Sequence, residues 1–220
     1  NRSTDNTAII CKQFNDTRIK YYLSETHKNL VESRINAWSK ISGKFVAIMD
    51  SDDLSYKNRL KIQLDEIKKY KNVAVVGGGV EYINDTGKTL SFKKFQNIKK
   101  DIQKKINYIF PMNNSTLFFD KKKVDIMGGY SSNYKFINDY ELVYRLSKKY
   151  NLVNLNSIIS KNRIHSKNLS TTKFLSMQHE LLIFLNKISK DNNSLLIRIH
   201  NFIARFKCII RLIKYKIINV

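Results

Sequence analysis

Asp50, Asp52 and Asp53 follow directly on Phe45-Val46-Ala47-Ile48-Met49, an apolar run in a 220-residue chain with a formal net charge of +22. Three carboxylates at the mouth of a buried strand repel one another and lose hydration, so a cation is the expected partner. A divalent metal is the simplest one. Hard oxygen ligands suit Mg²⁺ or Mn²⁺, and such ions reach proteins through one or two carboxylates plus the phosphates of a substrate. The cluster points to a metal-dependent site for a nucleotide or phosphate.

Such a loop needs a sheet behind it. Ser3 reads as the N-cap of a short helix reaching about Phe14, and residues 18–22 read as a strand. Residues 29–41 form a helical pattern with Leu30, Arg34 and Trp38 on one face, ended by Gly43. The strand 45–49 and its acidic loop come next, giving a β-α-β-α rhythm and hence a largely parallel sheet with helices on its faces. Ligands of such sheets bind beyond the carboxyl ends of the strands, where the aspartates fall. Residues 57–70 read as a helix with Leu60, Leu64 and Ile67 inward, and 73–76 as a buried strand. Gly77-Gly78-Gly79 then lets the backbone turn or pass close to a ligand. A hairpin over 81–92 turns at Asn84-Asp85-Thr86-Gly87. Beyond it come a helix over 98–109, a strand over 115–119, a helix over 139–149 with Leu142, Val143 and Leu146 inward, and a strand over 152–163. Trp38 at helical spacing reads as core.

The composition, 42% hydrophobic and 11% aromatic, supports one ordinary domain with a core. The basic excess favours anionic partners: nucleic acid, a membrane face or phosphorylated substrates. Heavy use of Lys, Asn, Ile and Tyr is also what AT-rich codons produce. The basic residues are spread along the chain without a nucleic-acid motif, so nucleic acid is not the expected partner. Cys11 and Cys208 match no metal or disulfide spacing. No uncharged apolar run reaches the roughly 18–20 residues of a membrane span. Residues 195–220 differ in kind: densely apolar, free of acidic side chains and studded with Arg198, Arg205, Lys207, Arg211, Lys214 and Lys216. That pattern fits a basic amphipathic helix on an anionic membrane surface, or one packed on the domain or a partner.

An Asp-x-Asp after an apolar strand also occurs in the haloacid-dehalogenase phosphatases, but here Asp53-Leu54-Ser55 follows and no later acidic motif of their kind appears. The order of several pieces is more specific. Ser3-Thr4-Asp5-Asn6-Thr7, Arg34, Gly43 to Ala47, Asp50-Ser51-Asp52-Asp53, Arg59-Leu60 with Gln63, Gly128-Gly129-Tyr130 and Asn138-Asp139-Tyr140-Glu141-Leu142 with Arg145-Leu146 stand in one line. In this order the sequence resembles the family 2 glycosyltransferases, inverting nucleotide-sugar enzymes of the GT-A fold. The resemblance covers roughly residues 1–170, leaving 171–220 as a helical, basic amphipathic extension. It implies an α/β domain with a Rossmann-like, mostly parallel central sheet.

By this resemblance Asp50 and Arg34 belong to the donor site, and Asp52 is the ligand of Mn²⁺ or Mg²⁺ that bridges to the diphosphate. Asp139 is the base that deprotonates the acceptor hydroxyl, although an aspartate at a helix start is also an ordinary cap. Asn138 stands where relatives often carry Glu, and loss of that charge is expected to make Asp139 more acidic. Arg163 and His165 match a distal Arg-x-His segment, with Arg163 on the donor phosphates and His165 completing the metal shell or simply packing. Tyr130 is placed to stack on an acceptor sugar. Arg59 braces the acidic loop by charge or lies on a solvated face. Asp53 supports the loop or caps the next helix, the cap being preferred.

The implied activity is transfer of a sugar from a nucleotide sugar, UDP-linked in the first instance, to a glycan or lipid-linked acceptor in cell-surface polysaccharide synthesis. The expected location is the cytoplasmic face of the membrane, reached peripherally through the C-terminal helix. Relatives begin with a strand and loop that hold the nucleobase, and neither is seen before Ser3. The chain is therefore expected to be N-terminally truncated, with weak nucleotide binding on its own. An inactive fragment and a polyanion-binding protein are the competing readings.

Overall fold

The computed structural model describes residues 3, 5–24, 29–95 and 99–218. Thr4 of the first motif, the helix start expected at Ile98 and the last two residues of the tail lie outside the described residues. The elements run α1 Thr7–Gln13, α2 Leu30–Ser39, β1 Phe45–Ala47, β2 Leu54–Ser55, α3 Arg59–Lys69, β3 Val73–Ile83, β4 Thr89–Lys93 and α4 Lys99–Lys105. They continue with β5 Phe118–Asp120, α5 Lys121–Ile126, α6 Asn138–Ser147, β6 Asn151–Arg163, α7 Leu169–Thr172, α8 Phe174–Lys190 and α9 Leu195–Ile218. The α/β class is as expected, and helices flank a central sheet.

The sheet order is β1-β5-β3-β6-β2, with β4 paired to the far end of β3. Among the described ladders only β3 with β6 is parallel; β1–β5, β3–β5, β2–β6 and β3–β4 are antiparallel. The expected mostly parallel sheet is thus a mixed one, with antiparallel ladders in the majority among the described residues. The β-α-β rhythm does give β1, β3 and β6 a common direction, but β5 inserts between β1 and β3 running the other way. Its antiparallel entry brings residues 113–117 to the same edge as the ends of β1, β3 and β6.

Local chemistry explains most of the elements. Asn29 caps α2 by accepting the orphan Glu32 N–H, and its side-chain amide donates to the Glu32 carboxylate, which fixes the cap. Residues 18–22 form no strand, because Asp16 folds back to accept the N–H and guanidinium of Arg18, a local turn that competes with extension. Likewise α1 starts at Thr7 rather than after Ser3, with Asp5 accepting the Thr7 N–H.

Gly77, Gly78 and Gly79 lie inside β3 rather than in a turn. A Cβ on Gly77 would stand 2.5 Å from Asn154 Oδ1, one on Gly78 2.6 Å from Ile159 Cδ1 and one on Gly79 2.7 Å from Ile158 Cδ1. They admit the neighbouring strand, not a ligand. The hairpin is present as β3–β4, with Gly87 at φ +85°.

Trp38, Val75, Phe119, Leu142, Leu146 and Leu152 share the main core, and Trp38 packs there as expected, its indole N–H donating to Asp125. The Phe184 ring of α8 meets Tyr134, Tyr140 and Tyr144 edge-on at 5.1–5.4 Å, so α8 is built into that core. α9 then lies on α8: Cys208 Sγ donates to Gln178 O, and the Tyr215 ring stacks on Phe174.

Candidate active site

Because β1, β3 and β6 share a direction, their C-terminal ends open onto one cleft of about 1240 Å³. Its wall includes Arg34 from α2, Asp50 to Asp53, Tyr82, Asn113 and Asn114, Asp139 at the start of α6, and Asn162 to His165 beyond β6. All the site residues expected from the sequence stand here except Tyr130.

The acidic loop is held from beneath. On α3 the inward positions are Arg59, Gln63 and Ile67, whereas Leu60, expected inward, is 57% exposed. The reason is a polar seam under the helix. Arg59, 2% exposed, donates to Ile48 O at 2.8 Å and to Gln63 Oε1 at 3.0 Å, and the Gln63 amide donates to Val76 O and Thr116 O. Burial pulls the Arg59 guanidinium down to about 10, opposed by the charge of Asp53, so it stays cationic at neutral pH. Arg59 therefore braces the loop, chiefly through the backbone just before Asp50.

Ser115 Oγ lies 2.8 Å from Asp50 Oδ2 and 2.5 Å from Asp53 Oδ2, so one hydroxyl proton serves two carboxylates. Asn114 Nδ2 adds a donor to Asp50, and Asn162 Nδ2 donates to the Ser115 oxygen. Asp53 also accepts the Arg163 N–H at 2.9 Å. Burial raises its pKa, with Asp52 and Asp50 adding to the rise against those two hydrogen bonds. The expected cap is not seen: Asn58 precedes α3, and Asp53 ties the loop to β5 and β6 instead.

Asp52 Oδ2 stands 3.0 Å from His165 Nε2 and 3.3 Å from Asn168 Nδ2, while Asn168 Oδ1 accepts the His165 N–H. A carboxylate and an imidazole thus share one wall, across 113 positions of sequence. Arg163 is more occupied than a phosphate ligand would be: Nε donates to Asp52 O, and Nη1 to Asn84 O and Asp85 O. It clamps the acidic loop to the β3–β4 turn.

Across the cleft, Arg34 donates to Asn138 Oδ1 at 2.7 Å and holds Nη2 3.9 Å from Asp50 Oδ1. Asn138 is fully buried and donates in turn to Lys135 O. A neutral acceptor at 138 leaves the Arg34 charge to the aspartates. Asp139 is half-buried, and burial pushes its carboxyl up, with Arg34 and the N–H groups of Tyr140 and Asp139 drawing it back and Asp50 adding to the rise.

Tyr130 is 7% exposed, lies under Arg34 and meets Trp38 edge-on at 5.7 Å, and burial raises its hydroxyl pKa. It is off the cleft wall, where Phe136 and Tyr82 stand instead. The turn at Gly128 and Gly129, both at positive φ, directs it inward.

Among the described residues no group of three His, Cys, Asp or Glu side chains converges as a ready cage for a metal. The donors that are present nevertheless fit an ion carried by a diphosphate: Asp50 and Asp52 are partly exposed carboxylates on the wall, with an imidazole beside the second.

An α/β sheet with its polar cleft at the shared ends of three strands is the GT-A architecture. A mannosyltransferase from Pyrobaculum calidifontis, solved with GDP-Man and Mn²⁺, aligns with a TM-score of 0.56 at 11% identity over 84% of this chain and 53% of that one. The family description Glycosyl transferase family 2 matches residues 1–131, and the chain belongs to that family. An Escherichia coli relative, UDP-Glc:alpha-D-GlcNAc-diphosphoundecaprenol beta-1,3-glucosyltransferase WfgD, is 36% identical over 83 residues, 38% of this chain and 32% of that protein. The glycosyltransferase MJ1057 of Methanocaldococcus jannaschii is 28% identical over 155 residues, 64% of this chain and 53% of that protein. The chain thus spans about a third to a half of these relatives.

Ser115, Asn114, Asn162 and Asn168 do not stand out in the sequence. Short polar residues carry little signal alone; the one available cue is the Asn113-Asn114-Ser115-Thr116 run immediately before a strand.

Proposed function

We propose that the chain carries the catalytic site of an inverting glycosyltransferase. It moves a sugar from a nucleoside-diphosphate sugar to a hydroxyl of a glycan or lipid-linked acceptor in cell-surface polysaccharide synthesis. UDP is the first candidate nucleotide, the one for which the E. coli relative is named, with GDP the alternative held by the Pyrobaculum enzyme. The observation that carries the reading is Asp139 lining one cleft with the acidic loop, with Arg34 between them.

Transfer with inversion needs one displacement. The acceptor oxygen attacks the anomeric carbon and gives its proton to Asp139, while the bond from that carbon to the diphosphate oxygen breaks and its electron pair leaves with the phosphate. Burial makes Asp139 a stronger base, and the charge of Arg34 opposes that rise. Asp52 with His165, and Asp50 beside them, would hold Mn²⁺ or Mg²⁺, which when bound supplies positive charge to the departing diphosphate. Arg59, Ser115 and Arg163 keep the loop in place throughout.

Turnover of UDP-sugar with Mn²⁺ by the full chain tests this, supplemented by calorimetric titration with UDP. Asp52→Ala is expected to abolish turnover and Asp139→Asn to lower kcat by about 10²–10⁴-fold. Equal turnover in all three proteins would reject the assignments.

A further inference from the structure

We propose that the outward face of α9 docks on an anionic lipid bilayer and, given the transferase reading above, holds the lip of the cleft at that surface. The helix has two apolar faces. At 100° per residue, Asn201, Ala204 and Cys208 fall on the side that meets α8 and the core. Leu195, Ile199, Phe202, Phe206, Ile209 and Ile213 fall on the opposite side and are exposed, Phe202 to 64%. That stripe is continuous over more than four turns, far more than the scattered apolar side chains of an ordinary surface.

The flanks identify the occupant. On this wheel Arg198 and Arg205 border one edge of the stripe, and Lys207 and Arg211 border the other. Residues 195–220 contain no Asp or Glu. A second copy laid stripe against stripe would bring these cations together with no acidic partner, whereas lipid phosphates pair with both edges. No described helix is long and apolar enough to cross a membrane, and an amphipathic helix with this charge distribution lies in the interface plane.

The placement connects the surface to the chemistry. Tyr215, near the end of α9, stacks on Phe174 at 5.2 Å, and Phe174 follows Lys173, which lines the cleft together with Met177. The other end of the helix is anchored away from that lip, where Asn201 donates to Asn107 O. A bilayer under α9 therefore runs up to the rim of the cleft, the approach that suits an acceptor whose hydroxyl is tethered to lipid.

Co-sedimentation of the full chain with phosphatidylglycerol-containing and pure phosphatidylcholine vesicles tests the proposal, alongside sugar transfer to a short water-soluble acceptor. The expected result is binding to the anionic vesicles only, weakened by salt. It should fall about tenfold or more in Phe202→Glu/Phe206→Glu and in Arg198→Glu/Lys207→Glu, while both variants keep the wild-type circular dichroism and transfer to the soluble acceptor. Absent binding, equal binding to neutral vesicles, or a dimer in light scattering that the phenylalanine pair abolishes would each overturn it. Vesicle binding without any transfer would sink the enzymatic reading alone, and transfer without vesicle binding would sink this one.

Discussion

Gln63→Leu keeps the volume of a fully buried side chain and deletes the polar group that joins three elements. The amide donates to Val76 O at 2.8 Å and Thr116 O at 2.7 Å, and its oxygen accepts from Arg59 Nε at 3.0 Å. Leucine leaves the Val76 and Thr116 carbonyls and one guanidinium N–H without these partners, at roughly 1–3 kcal/mol each. The apolar replacement returns about 1–2 kcal/mol of burial. The net loss is about 4–5 kcal/mol at the centre of these ranges, and a domain of this size moves by about 2–4 °C per kcal/mol, so Tm should fall by about 8–20 °C. The reverse exchange one turn back, Leu60→Gln, falls on the exposed side of α3 and should stay within about 0.5 kcal/mol. Urea and thermal unfolding followed by circular dichroism measure both. Arg59 and Thr116 flank the acidic loop, so kcat/KM for the donor should fall with stability in Gln63→Leu and remain unchanged in Leu60→Gln. A Gln63→Leu protein as stable as wild type, or a Leu60→Gln protein equally damaged, would refute the polar seam under α3.

The pH behaviour of Asp139 follows from its raised pKa. The folded state holds the proton more tightly than the unfolded state, so ionised Asp139 costs stability as pH climbs above the ordinary carboxylate range. Asp139→Asn should therefore be more stable than wild type at neutral pH in urea titrations, with the gap closing towards acid, although nearly inactive. Wild-type kcat should in turn fall as pH drops through that raised pKa. Ser115→Ala removes the hydroxyl shared by Asp50 and Asp53, and steady-state kinetics should show donor kcat/KM lowered about tenfold, equivalent to ~1.4 kcal/mol. Unchanged donor kinetics would mean that the carboxylates orient themselves.

What is legible in the sequence is what local pattern encodes. The β-branched run of β3, the Asn84 to Gly87 turn, the apolar face of α6 and the acidic loop all carry their own signals, and the loop and Asp139 do meet at one cleft. Partner choice is not legible. The α3 pattern puts leucines inward wherever a helix meets an apolar sheet, but here it meets open carbonyls, so Arg59 and Gln63 turn in and Leu60 turns out. The β-α-β rhythm fixes the direction of β1 and β3 yet is silent on β5 coming between them. A tyrosine after two glycines looks available to a sugar; only the positive φ values at those glycines reveal that it turns under Arg34.

The closures that shape the cleft are all long-range in sequence: Arg34 to Asn138 spans 104 positions, Asp53 to Arg163 spans 110 and Asp52 to His165 spans 113. Each must wait for loop entropy to be overcome by the β3–β6 ladder, so the pocket matures late in folding, after the hairpin and the separate helices. During synthesis a nascent chain that has not yet released residue 168 from the ribosome has the acidic loop with Arg34, Arg59 and Ser115 but lacks the full set of Arg163, His165 and Asn168, the partners of Asp52 and Asp53 beyond β6. Of the partners of the acidic loop, those beyond β6 are thus the last to be made.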